Sequence, residues 1–177
     1  MLARENQDPD LKDLASRIHT LYFLATPHRG SDFSKIFSNI LNISYGSKPF
    51  VAELSRNSDS IAWINDSFRH HAPDLQLWSF YETDPINLVV TQAVIVDKFS
   101  ATLGFPNEKS YPLNADHRGV CKFYLQTDPN YRTLRNSFSS TIDKILSDSK
   151  TATSLTPIIL FTYYRLEIFV TYLKTPT

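Results

Sequence analysis

One stretch constrains this chain more than any other: Leu21-Tyr22-Phe23-Leu24-Ala25-Thr26-Pro27-His28-Arg29-Gly30-Ser31-Asp32. Its apolar run has the length and continuity of a strand buried on both faces. Pro27 and Gly30 stop the run, and Asp32 is placed to cap a helix after it. Strand, polar turn, helix is how an α/β sheet sets reactive side chains at the carboxyl ends of its strands. The pattern predicts a strand over about 20–26 and an α/β fold class, with about three parallel strands and flanking helices.

The remaining pattern supports that class. Leu11, Leu14, Ala15 and Ile18 fall at helical spacing before the strand. Helical stripes recur after it, from Phe33 to Leu41 and from Phe50 to Phe68. Leu75–Tyr81 reads as a second strand ending at Glu82, and Ala93–Val96 as a third stopping at Asp97. A long loop over about 98–120 follows, and loops of that length in small domains usually carry function or motion. Asp128 and Pro129 open a last helix, with Tyr131, Leu134, Phe138, Ile142 and Ile145 as its stripe.

Composition narrows the function. Lys plus Arg and Asp plus Glu are 18 each among 177 residues, so the basic excess usual for a nucleic-acid protein is missing. The single cysteine, Cys121, forbids an internal disulfide and suits a reducing compartment. Met1–Asp10 is polar, without the pattern of a signal peptide, so a cytoplasmic location is expected. Residues 149–177 read as a divergent hydrophobic tail. A membrane span over 155–173 has the length, but Arg165 and Glu167 would each cost roughly 2.5 kcal/mol at mid-helix.

Three turns bring polar groups together in order: His28 after the first strand, Glu82 after the second, and His117 in the long loop. An acid followed by a histidine, each after its own strand, suits a carboxylate–imidazole pair. The carboxylate fixes the tautomer, and the far nitrogen can take a serine proton. The nucleophile elbow G-x-S-x-G is absent, because Gly30, Gly46, Gly104 and Gly119 are the only glycines and none are four apart. Ser31 is the one serine in a comparable turn, but it follows the first strand. No pair of histidines has the spacing of a helix-based zinc site, so neither metal nor cofactor is expected.

Four ordered motifs carry a resemblance: Phe23–Asp32, Leu77–Thr83, Ile95–Ala101 and Asn114–Phe123. Together they resemble the carboxyl half of fungal serine esterase-like α/β-hydrolase domains. These are related to the serine-active-site-containing protein and the GPI inositol-deacylases, and often stand at the amino terminus of NACHT or NB-ARC proteins. The resemblance spans about residues 1–148. It implies a truncated α/β-hydrolase, with the serine elbow preceding Met1. It further implies Glu82 as the catalytic acid, Asp97 as an alternative acid, His117 as the base, and Thr26, His28 and Arg29 along the substrate pocket. An acyl-ester or lipid substrate and an endoplasmic reticulum or mitochondrial membrane link follow from the family only. The expected function is a remnant of a serine esterase or lipase, inactive alone. The alternatives are a non-catalytic interaction module, a fragment of a larger signalling protein, or a membrane-associated fragment. The first strand would then lie on a bare sheet edge, open to a protein partner or to oligomerisation.

Overall fold

A computed structural model describes residues 16–28, 66–87, 92–149, 158–163 and 167–172, the last two segments for their backbone. The apolar run becomes β1 (Ile18–Leu24), with six of its seven residues buried. β2 (Gln76–Glu82) lies parallel to it, Leu21 opposite Leu77 and Leu24 opposite Phe80. Ile18, which helical spacing assigns to the preceding helix, is instead the first residue of β1.

Two expectations for the segment after β2 are corrected. Ala93–Val96 is not a third sheet strand. Only Gln92–Ala93 (β4) is extended, and it pairs antiparallel with Ile86–Asn87 (β3) in a separate two-stranded ribbon. The long loop over 98–120 contains a short helix, α1 (Lys98–Ala101), and a true strand, β5 (Glu108–Leu113). β5 runs parallel to β2, with Glu82 opposite Leu113. Polar Lys109 and Ser110 and the strand-breaking Pro112 hide it from a periodicity search; they suit an edge strand, where a missing N–H or a charge is tolerated.

The sequence reading leaves β1 at a bare edge, and the structure corrects this. Part of the expected tail forms β6 (Ile158–Tyr163), parallel to β1, and β7 (Glu167–Tyr172), antiparallel to β6. The sheet order is β5-β2-β1-β6-β7. Among the described residues no helix is long and apolar enough to cross a membrane.

The long helix α2 (Pro129–Ser149) packs on one face of this sheet. Leu134, Ser137, Thr141 and Ile145 form its buried line at helical spacing. Two of these are polar and each has a partner: Thr141 Oγ1 lies 2.6 Å from the Tyr22 hydroxyl, which also donates to the Ser137 backbone carbonyl at 3.0 Å, and the Ser137 hydroxyl donates back to the Leu134 carbonyl at 2.6 Å. That face also carries parallel rings, Tyr22 on Trp78 at 5.9 Å and Trp78 on Tyr111 at 5.7 Å between centroids. Leu21, Phe23 and Leu77 fill the opposite face with Phe68, Leu103 and Phe105. A sheet buried on both faces explains why β1 reads as a continuous apolar run.

Candidate functional site

The site begins at the carboxyl end of β2. Glu82 is the last residue of that strand, and its side chain is fully buried. Its Oε1 accepts two consecutive backbone N–H groups, from Ile95 and from Val96, the latter at 2.6 Å. Its Oε2 lies 2.9 Å from Nδ1 of His117, whose side chain is 3% exposed. The imidazole Nδ1 donates to this oxygen, which puts the ring's acceptor lone pair on Nε2; the tautomer is assigned from this bond. A buried carboxylate with three donors repays its desolvation far better than one with a single partner.

His117 is held by its own turn. Asp116 Oδ1 accepts from the N–H groups of Arg118 at 3.0 Å and Gly119 at 2.8 Å, and its carbonyl accepts from Val120. This is an Asx turn, in which an aspartate side chain replaces a backbone acceptor. A Cβ on Gly119 would come within 3.2 Å of Asp116 Oδ1, so glycine lets the turn close. The chain leading into the turn is tied to two neighbouring elements. Thr83 N–H donates to the Leu113 carbonyl at 3.2 Å, and Asn114 exchanges two hydrogen bonds with the Asn130 side chain at the start of α2.

The other expected site residues fall in different roles. Asp97 caps α1, its Oδ1 accepting from Ser100 N–H at 2.8 Å. That carboxylate is exposed and committed to the helix end, whereas the imidazole Nδ1 meets Glu82. Thr26 is half-buried just past β1, its hydroxyl 3.4 Å from the Leu24 carbonyl. His28 sets its ring edge-on to Phe23, 4.5 Å between centroids, and donates its backbone N–H to the Ser100 carbonyl at 2.7 Å. The end of β1 is thereby joined to α1. Arg29 and Ser31 lie outside the described residues.

Two features of this corner have no signature in the sequence. Ala25, fully buried, has φ of 44°, the left-handed region that costs a non-glycine residue about 1–2 kcal/mol. The conformation ends β1 while its N–H still reaches the Phe80 carbonyl at 2.7 Å. Alanine carries no turn signal, so no pattern search finds it. The donors of Ile95 and Val96 are equally hidden, because they are backbone groups.

Cys121 is half-buried, and burial pushes its thiol up to about 12, well away from a thiolate nucleophile. Among the described residues no three histidine, cysteine or acidic side chains gather as a metal-binding set. Chemically, the corner can hold a neutral imidazole in one tautomer and stabilise the imidazolium formed when Nε2 takes a proton. No protein-family model, curated protein or solved structure matches the chain.

Proposed function

We propose that Glu82 and His117 are the acid and base of a serine esterase-type centre of α/β-hydrolase lineage, acting on acyl esters. The observation that carries this is the buried 2.9 Å contact between Glu82 Oε2 and His117 Nδ1, formed where two adjacent parallel strands end. Carboxyl ends of parallel strands are where α/β enzymes place their chemistry. In such a centre Glu82 orients the ring, and His117 Nε2 removes the serine proton and returns it to the leaving alcohol. Thr26 and His28 stand at the neighbouring strand end and would line the pocket. None of the 177 residues forms a G-x-S-x-G elbow, so the nucleophile in this reading lies on other polypeptide and the chain alone is inactive.

A second reading, a non-catalytic interaction module of a larger NACHT- or NB-ARC-type protein, is favoured by the 3% exposure of the imidazole. One experiment divides them. The genomic sequence upstream of Met1 is translated, and the extended protein is treated with a fluorophosphonate probe. Serine labelling in the extended protein, lost in His117→Ala and absent from the 177-residue chain, is the expected result. No in-frame serine elbow, or labelling indifferent to His117→Ala, would remove the esterase reading and leave the module.

A further inference from the structure

The two outer edges of the five-stranded sheet are built differently. β5 closes one side with Lys109 and Pro112, the charge and the missing N–H that discourage another strand from pairing. β7 closes the other, and its sequence, Glu-Ile-Phe-Val-Thr-Tyr, has no proline, no glycine and no lysine. Five of its six residues, Ile168 to Tyr172, are β-branched or aromatic, the types that favour strands. Its inner edge pairs with β6, and no strand among the described residues pairs with its outer edge.

We infer that the outer edge of β7 is a self-association surface, taking β7 of a second copy of this chain in antiparallel register about a two-fold axis. Charge decides the direction. Glu167 is the only ionisable carboxylate of the strand and sits at its first position. A parallel pairing would set the two Glu167 side by side, which is unfavourable. Antiparallel pairing sends them to opposite ends, about 17 Å apart at 3.4 Å per residue. The direction also continues the antiparallel pairing of β6 with β7, so two five-stranded sheets join into one. A two-fold contact of one edge with itself closes at two copies and does not propagate. The inference stands apart from the proposed chemistry, because β7 and β2 are separated in the sheet by β1 and β6.

The test is sedimentation of the full 177-residue chain through a ~100-fold dilution series. The expected species is twice the 20.3 kDa chain mass, dissociating on dilution. Thr171→Lys places a like charge on both copies of the edge and should weaken association at least tenfold with unchanged circular dichroism. Tyr111→Lys on the β5 edge should leave it unchanged. Hydrogen exchange on the wild-type chain gives an independent readout: amides within 167–172 should gain protection with concentration, and those of β5 should not. A wild-type monomer throughout, a dimer indifferent to Thr171→Lys with no concentration-dependent protection in β7, or open-ended polymers would each overturn the inference.

Discussion

Two carboxylates in this protein do the same structural job and end with different chemistry. Glu82 and Glu108 each gather two consecutive backbone N–H groups from a loop and one side-chain donor. Glu82 takes those of Ile95 and Val96, with His117 as third donor. Glu108 takes those of Leu103 at 2.9 Å and Gly104 at 2.6 Å, with the Ser79 hydroxyl at 2.5 Å. Both are loop clamps. Glu82 sits at a strand's carboxyl end, fully buried, against a group that can carry a proton. Glu108 sits at a strand's amino end, half-buried, against a hydroxyl that donates its own proton and ordinarily takes up no second one. Holding a loop is therefore not what distinguishes Glu82; its third partner and its burial are.

The largest test of this difference removes the carboxylates. Glu82→Ala strands an imidazole and two N–H groups in the interior and should cost about 3–5 kcal/mol in urea unfolding. Glu108→Ala leaves the exposed Gly104 N–H open to solvent and only the Ser79 hydroxyl fully buried, and should cost about 1–2 kcal/mol. Equal losses would make the two clamps equivalent. Removing the third partners comes next. His117→Ala leaves Oε2 buried without its donor, about 1–3 kcal/mol, and Ser79→Ala should fall near 1 kcal/mol or below.

The loop glycines test the clamps from the other side. Gly104 has φ of 83°, so Gly104→Ala should cost about 1–2 kcal/mol in strain. Gly119→Ala meets only a close contact with Asp116 and should cost about 0.5–1 kcal/mol by thermal unfolding. The reverse order would place the tighter turn beside His117.

The smallest effect is a slope, read at a buried group belonging to neither clamp. Burial raises the Tyr22 hydroxyl from 10 to about 12, against the opposing pull of its bonds to Thr141 and Ser137. The unfolded chain loses this proton first as pH rises, so stability is full below pH 10 and falls between 10 and about 12. Tyr22→Phe should flatten unfolding free energy against pH in that window; an unchanged slope would assign alkaline sensitivity to other groups.

Legibility in the sequence followed the physics of each element. β1, β2 and α2 were readable because both faces of the sheet, and one stripe of the helix, are buried, and burial demands apolar residues in period. β5 was not readable, because an edge strand is free to be polar. Ala93–Val96 misled for a specific reason. It is apolar enough for a strand, but the N–H groups of Ile95 and Val96 both turn to Glu82 Oε1. Successive N–H groups in a strand point to opposite sides, so one acceptor cannot serve both. Glu82 and His117 were legible as candidates by order and position. Their contact was not, nor was the role of Asp97 as a helix cap.

By itself, then, the sequence determined an α/β chain with an apolar strand ending at Thr26-Pro27-His28, and an acid and a histidine placed after later strands. Those are consequences of local pattern: periodicity, turn chemistry and residue order. The tertiary structure decided which carboxylate meets the imidazole, which strand lies beside β2, and what lies along the open side of β1. Each of those depends on backbone hydrogen bonds between segments far apart in the chain. Every residue but proline carries the same donor and acceptor for them, so the residue types alone do not encode the pairing.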